Sequence, residues 1–194
     1  MSVQIKSVGV IGAGQMGGGI AHVCAMAGYD VHVHDVSSEN LQTMQANISG
    51  NLARQVSSGK ATDAERDAAL SRIHLATEMS ELAGMDMVIE AATEDETVKR
   101  KIYQQLCPIL NPEAILATNT SSLSITRLAA ATDRAERFIG IHFMNPVPVM
   151  KLVELVRGIA TEEETFKTSL DFVDSLDKTI TVAEDFPAFI VNRI

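Results

Sequence analysis

The sequence has 194 residues, 46% hydrophobic and 21% charged, so it is long enough for one or two domains with a substantial core. Its 25 acidic and 16 basic residues give a net charge of −9, which argues against a nucleic-acid-binding surface. No apolar run is long enough for a membrane span, and the N-terminus shows neither signal-peptide nor transit-peptide features. With Cys24 and Cys107 expected to be small buried apolar side chains, we predict a cytoplasmic protein with no membrane or nucleic-acid partner.

Predicted strands and helices alternate along the chain. The helices show apolar residues three and four apart, whereas the strands are short β-branched or alternating runs. Strands are predicted at 6–11, 30–35, 74–78, 85–92, 114–119, 137–143, 151–156 and 178–183, and helices at 15–27, 38–58, 63–71, 95–110, 124–131 and 162–176. This alternation predicts an α/β fold, a doubly wound, mostly parallel sheet with helices on both faces.

A glycine-rich motif joins the first strand to the first helix. The motif has the pattern G-x-G-x-x-G and comprises Gly12, Ala13, Gly14, Gln15, Met16 and Gly17. In a Rossmann-like fold, Gly12 makes the tight turn, Gly14 lets a pyrophosphate approach the backbone, and Gly17 lets helix and sheet pack closely. The alternative is a plain glycine turn, but the flanking strand and helix favour a dinucleotide site.

Asp35 ends the second predicted strand, 18 residues after Gly17. A carboxylate there accepts hydrogen bonds from a ribose 2′-hydroxyl and repels a 2′-phosphate. The residues that follow, VSSEN, include no arginine to hold such a phosphate. The sequence therefore predicts NAD rather than NADP as the cofactor.

One of the five histidines is a candidate catalytic residue. His142 lies near the end of a strand, where open α/β sheets bind ligands, and Glu154 lies in an otherwise apolar strand segment. The pair could act in a dehydrogenase, with the carboxylate holding the histidine tautomer and making the ring a better base. The alternative is that Glu154 is a solvated carboxylate on an edge strand. The other four histidines are expected to be structural or exposed.

Residues 119–122, NTSS, end another parallel strand and are expected to reach the same edge. Their alternative role is to cap the following helix, with Ser122 as the cap.

Four segments together resemble the L-3-hydroxyacyl-CoA dehydrogenases, particularly the bacterial 3-hydroxybutyryl-CoA dehydrogenases: GAGQMGGGIA, ATNTSSLSIT, GIHFMNPVPVMKLVELV and FPAFIVNRI. The resemblance spans essentially the whole sequence. It implies that His142 is the catalytic acid/base and Glu154 its partner. It also implies that Ser121 hydrogen-bonds the substrate's 3-oxygen beside the nicotinamide, and that Asn192 positions the substrate carbonyl.

The same resemblance implies further binding residues. Glu94 and Lys99 would contact the ribose region of NAD, and Asn145 would lie near the nicotinamide. The helical region after the second strand contacts CoA in this family, so Arg54 and Lys60 could meet CoA phosphates, although two solvated charges are an equal alternative.

The family's pattern also implies a domain division and a reaction. Residues 1–186 would form the NAD-binding domain, and 187–194 would begin a C-terminal helical domain, otherwise missing here, through which the full-length protein forms a homodimer. The implied reaction is the reversible NAD-dependent oxidation of an (S)-3-hydroxyacyl-CoA, of short chain, to the 3-oxoacyl-CoA. Two alternatives stay open: the same chemistry on a free hydroxy or sugar acid, and a non-catalytic NAD-binding protein.

Overall fold

The computed structural model of the chain describes residues 4–186 and Phe189. Within these residues the strands are β1 (Ser7–Ile11), β2 (Asp30–His34), β3 (Ile73–Ala76), β4 (Met87–Glu90), β5 (Ile115–Thr118), β6 (Phe138–Phe143), β7 (Leu152–Arg157) and β8 (Thr179–Ala183). The α-helices are α1 (Gln15–Met26), α2 (Ser38–Ser57), α3 (Asp63–Ser71), α4 (Glu96–Leu106), α5 (Ile125–Ala129) and α6 (Glu163–Ser175).

The eight strands form one sheet in the order β3-β2-β1-β4-β5-β6-β7-β8. Every neighbouring pair is parallel except β6 and β7, which run antiparallel. The strand order reverses direction between β1 and β4, so the chain has a topological switch point there. Ligands of open α/β sheets bind outside the carboxyl ends of the strands at such a point.

Apolar residues cover both faces of the sheet. Along β4, Met87 and Ile89 belong to one cluster, which includes residues of α1, α2 and α6, whereas Val88 belongs to a second cluster with residues of α4 and α5. Because alternate residues of a strand point to opposite faces, the two clusters lie on opposite sides of the sheet. The predicted doubly wound, Rossmann-like fold is thus confirmed.

Local capping explains most helix boundaries. The helix predicted at 63–71 is α3, and its N-cap is Thr62. Thr62 forms a capping box, in which its Oγ1 accepts from the Glu65 amide and the Glu65 carboxylate accepts from the Thr62 amide. Gly28 follows the end of α1 with φ +100°, as a C-terminal glycine should. The alternative role of Ser122 as a helix cap is wrong, because α5 begins at Ile125 and Ser124 accepts from the Arg127 amide.

Two predicted elements differ from the observed ones in their bounds. The helix predicted to reach residue 110 ends at Leu106, and the strand predicted at 74–78 lies at Ile73–Ala76. Two short 3₁₀ turns, Met79–Leu82 and Ala135–Arg137, were not predicted. Among the described residues, no helix is both long enough and apolar enough to cross a bilayer.

Candidate active site

The glycine motif forms the turn between β1 and α1. Gly12 has φ +101°, and its amide donates to the His34 carbonyl at 2.8 Å. A Cβ on Gly17 would lie 1.8 Å from the Gly12 carbonyl oxygen, so only glycine fits there. A Cβ on Gly14, by contrast, would meet no atom within 4 Å. The tight turn and close packing predicted for Gly12 and Gly17 are therefore present.

The start of α1 has the features that a phosphate group requires. Gly14 is the N-cap residue, and within the described part of the chain no side chain caps the helix start by a hydrogen bond. Because the first amides of a helix lack intrahelical partners, they and the helix dipole attract an anion into the open space beside Gly14. The residues present therefore fit the pyrophosphate of a dinucleotide.

Asp35 lies directly after β2 and is joined to this turn. Its Oδ2 accepts from the Ala13 amide at 2.8 Å, and its Oδ1 accepts from the Ser37 amide at 2.8 Å. These bonds fix the carboxylate at the carboxyl edge of β2. This is the place from which an acidic side chain reaches an adenosine ribose.

A cavity of about 420 Å³ lies at the carboxyl ends of β4, β5 and β6. It brings together four of the predicted site residues, Glu94, Ser121, His142 and Asn145, with Met16 of the glycine motif. Ala91, Ala92, Thr93, Asn119, Phe143 and Met144 complete its walls. Five of the residues predicted for catalysis or cofactor binding thus face one space.

His142 and Glu154 are direct cross-strand partners in the antiparallel pair of β6 and β7. The distance from His142 Nδ1 to Glu154 Oε2 is 2.7 Å, and Glu154 is fully buried. β8 covers the outer side of β7, so the alternative of a solvated carboxylate on an edge strand is wrong. A carboxylate only accepts hydrogen bonds, so this contact favours the tautomer in which Nδ1 donates to Glu154 and Nε2 holds the lone pair.

Glu94 organises the turn after β5. Its Oε1 accepts from the hydroxyls of Thr120 (2.7 Å), Ser121 (2.8 Å) and Ser122 (3.0 Å), and from the amides of Ser121 (2.8 Å) and Ser122 (3.0 Å). Burial alone would raise the pKa of Glu94, but these hydrogen bonds outweigh it and hold the pKa below its ordinary value. An ionised Glu94 therefore fixes the position of Ser121.

Lys99 is placed differently from the prediction. Its side chain is 1% exposed, and Nζ lies 2.5 Å from Glu90 Oε2 and 3.3 Å from Thr118 Oγ1. Lys99 does not line the 420 Å³ cavity, so a contact between its ammonium group and the NAD ribose disagrees with this arrangement. Its observed role is to neutralise Glu90, whose Oε1 accepts from the Ala92 amide at 2.9 Å in the cavity wall.

A second cavity of about 470 Å³ lies between α1, α2 and residues 145–148. Arg54 lines it, as do Gly14, Gln15 and Asn145, and hydrogen-bonds Asn51. Lys60 lies beyond the end of α2, is exposed and does not line this cavity. Of the two cationic residues predicted to contact CoA, only Arg54 lines a cavity that residues of the glycine motif also line. Asn192 lies outside the described residues.

Sequence reasoning missed two groups that shape the site. Phe189 is 1% exposed, and its ring centroid lies 5.9 Å from that of His142, where it shields the imidazole. Nothing in the local pattern PAFIV distinguishes this phenylalanine from any core residue. Glu90 was read only as part of a buried strand, although an acidic residue in an apolar run is a signal of a buried partner.

The fold and this constellation define a dinucleotide-binding domain of the dehydrogenase class. A family model described as the 3-hydroxyacyl-CoA dehydrogenase NAD-binding domain matches residues 7–186. The chain belongs to this family, which confirms the resemblance seen in the sequence and NAD as the cofactor.

Named relatives agree with the family match. The chain is 63% identical over 194 residues to the 3-hydroxybutyryl-CoA dehydrogenase of Bradyrhizobium diazoefficiens, covering 100% of this chain and 66% of that protein. It is 48% identical to a probable 3-hydroxybutyryl-CoA dehydrogenase of Deinococcus radiodurans, covering 96% of this chain and 66% of the relative. The chain thus spans about two thirds of the length of these relatives.

Solved structures show the same likeness. The crystal structure of the (S)-3-hydroxybutyryl-CoA dehydrogenase of Ralstonia eutropha superposes with a TM-score of 0.96 at 45% identity. The match covers 98% of this chain and 68% of that one.

Proposed function

We propose that this chain is the NAD-binding part of an enzyme that reversibly oxidises short-chain (S)-3-hydroxyacyl-CoA thioesters to 3-oxoacyl-CoA. The observation that carries the proposal is the His142–Glu154 pair, because its histidine faces the same cavity as Ser121 and Met16 of the glycine motif. The preference for a short acyl chain rests on the relatives named as 3-hydroxybutyryl-CoA dehydrogenases.

The chain's own residues supply the acid–base chemistry. His142 Nε2 accepts the proton of the substrate's 3-hydroxyl, while Nδ1–H remains bonded to Glu154, whose charge stabilises the imidazolium that forms. The Ser121 hydroxyl, which donates to Glu94 in the structure, turns its single hydrogen to the 3-oxygen when substrate binds, while the Ser121 amide stays bonded to Glu94 and keeps the residue in place. NAD, when bound, supplies the hydride acceptor. In the reverse direction His142 returns the proton to the developing alkoxide.

The finer assignments follow from the same proposal. Arg54 pairs with a CoA phosphate, supported by its place in the cavity beside the cofactor turn. Asn192 positions the thioester carbonyl, Asn145 lies beside the nicotinamide, and Lys60 is a second, peripheral CoA contact. The NAD-binding domain ends near residue 186, where the family match also ends, and residues 187–194 begin a helical domain. The full-length enzyme is a cytoplasmic homodimer.

The test follows NADH absorbance with acetoacetyl-CoA, with free acetoacetate as the parallel substrate. We expect NADH loss with the thioester alone, and none after His142→Asn. The matched control is His74→Asn, an exposed histidine on β3, which should leave turnover unchanged. Turnover of free acetoacetate alone would contradict the CoA assignment. NADH binding without turnover of either substrate would favour the alternative of a non-catalytic NAD-binding protein.

A further inference from the structure

Two histidines and an aspartate meet at the β2–β3 end of the sheet, away from the candidate active site. Asp30 and His32 are two residues apart on β2, so their side chains share one face of the strand. The parallel register places His74 of β3 directly opposite His32. The ligand atoms of the three side chains all lie within 4.8 Å of one another.

The side chains of the cluster already contact one another through the atoms that would bind a metal ion. His74 Nε2 lies 2.8 Å from Asp30 Oδ1, and His32 Nε2 lies 3.4 Å from Asp30 Oδ2. The two imidazole rings are 4.7 Å apart between centroids. Ligands bound at roughly 2.0–2.1 Å in a tetrahedral zinc site are about 3.3 Å from one another, so small side-chain adjustments suffice.

The charge around this cluster also suits a cation. Within the described part of the chain, the two histidines are the only side chains found in an ion pair with Asp30. No described lysine or arginine is paired into the cluster to compete with a metal ion.

We propose that Asp30, His32 and His74 form a surface site for a borderline divalent metal ion, with Zn²⁺ as the best fit. Imidazole nitrogens favour Zn²⁺, Ni²⁺ and Cu²⁺ over Mg²⁺ and Ca²⁺, and two histidines with one carboxylate form a donor set used for zinc. The ion takes one Nε2 lone pair from each imidazole and one lone pair from the carboxylate. The proton that His74 Nε2 shares with Asp30 leaves to solvent and His74 Nδ1 takes one up from solvent, so the ring changes tautomer and stays neutral. Solvent completes the fourth position.

Binding at this site joins the edge strand to its neighbour. β3 is only four residues long and has one strand partner, β2, so a metal bridging His32 and His74 stabilises the edge of the sheet. β1, β4 and β5 separate the site from β6 and β7. The site is therefore independent of the proposed dehydrogenase activity.

The first experiment is calorimetric titration of the tag-free chain with ZnCl₂. We expect one Zn²⁺ per chain, no binding of Mg²⁺, and at least a tenfold loss of affinity in both Asp30→Asn and His74→Asn. Asp67→Asn is the matched control, because Asp67 is an exposed carboxylate outside the cluster. His142→Asn must retain the site. Unchanged affinity in the cluster variants, or loss of binding in His142→Asn, would overturn the proposal.

A thermal scan of the unmodified chain gives a second readout that needs no variant. At Zn²⁺ concentrations a hundredfold above Kd, linkage predicts a rise in Tm of roughly 5–10 °C for a domain of this size. EDTA should reverse the rise. No rise in Tm under saturating Zn²⁺ would also overturn the proposal, because the ion would not favour the folded state.

Discussion

Glu154 is the residue whose removal best tests the proposed chemistry. In Glu154→Gln the amide can still hold the imidazole in place, but the negative charge that stabilises the imidazolium is lost. We expect kcat for acetoacetyl-CoA reduction to fall by roughly 10²–10⁴-fold with little change in KM, since acid–base catalysis is typically worth this much. Steady-state kinetics measure both constants.

The control for this substitution is Glu163→Gln, an exposed carboxylate paired with Arg157. Its kinetics should match the unmodified chain. A kcat reduction below about tenfold in Glu154→Gln would contradict a charged partner for His142 and leave Glu154 as a packing residue.

Residue identities in the site were predicted unevenly, for physical reasons. His142 and Glu154 could be paired because both stand out in apolar strands near the expected ligand edge. Their direct opposition could not be known, because it depends on β7 running antiparallel. Lys99 follows the family's sequence pattern but turns inward, since Glu90 offers it a buried partner that position alone does not show.

The turn between β1 and α1 offers a contrast between two glycines of one motif. Ala at position 17 would place its Cβ 1.8 Å from a backbone oxygen, whereas Ala at position 14 meets nothing within 4 Å. We expect Gly17→Ala to lower the free energy of unfolding by about 1–3 kcal/mol or more. Gly14→Ala should keep its stability and lose NADH affinity, because the methyl group enters the space for the pyrophosphate.

Urea denaturation and NADH fluorescence titration separate these two effects. Equal stability of the two variants would show that the close contact at Gly17 relaxes without cost. Unchanged NADH affinity in Gly14→Ala would place the phosphates elsewhere.

The contact between α1 and α2 should make the fold sensitive to acid. His22 of α1 is 2% exposed, and its Nε2 accepts from Gln55 of α2 at 3.3 Å. Its Nδ1 has no hydrogen-bond partner among the residues that the structure describes. Burial, followed by the charge of Lys178, lowers the pKa of His22 to about 4 from 6.5. Because the unfolded chain binds this proton more readily, stability is full above pH 6.5 and is lost as the pH falls towards 4.

Between pH 7 and pH 5 the loss attributable to His22 should be about 2 kcal/mol. His22→Gln cannot take up the proton, so its unfolding free energy should fall by that much less over the same interval. Urea denaturation at the two pH values measures the difference. Parallel losses in both proteins would contradict a buried, neutral His22.

The sequence predicted which helices and strands exist better than it predicted the residues at which they begin and end. Capping residues such as Thr62 marked their boundaries correctly, because the capping box is a local interaction. Ser122 does not cap the helix that follows, because its hydroxyl donates a hydrogen bond to Glu94, which lies 28 residues earlier in the chain. A hydrogen bond between residues so far apart in the sequence cannot be predicted from a local sequence pattern.

Across the whole molecule, a buried ion pair connects the sheet to α4. Glu90 Oε2 accepts from Lys99 Nζ (2.5 Å), from the Tyr103 hydroxyl (2.9 Å) and from the Thr118 hydroxyl (3.0 Å). Removing one partner of a buried ion pair leaves the other charge buried without a compensating charge. We therefore expect Lys99→Met to lower the unfolding free energy by about 3–5 kcal/mol.

Adding Glu90→Gln to Lys99→Met should restore part of this loss, since no uncompensated charge then remains. Lys167→Met is the matched control, because Lys167 pairs with Glu163 at an exposed site and should contribute under about 1 kcal/mol. Denaturant midpoints compare all three. A Lys99→Met effect no larger than the control's would show that Glu90 is not held as an ion inside the protein.

The doubly wound sheet was predictable as a whole because strand–helix alternation admits few topologies. The one exception to parallel pairing was not, because no residue in KLVELV encodes strand direction.

That reversed strand ties turnover to strand alignment. A slip of one residue between β6 and β7 would put Val153 or Leu155 opposite His142 and turn Glu154 to the other face of the sheet. The slipped chain could retain its helices and most of its core, yet its imidazole would face a hydrocarbon neighbour. In the proposed enzyme, turnover therefore shows that β6 and β7 are paired in the correct register. Spectroscopy of secondary structure alone would not detect a register shift.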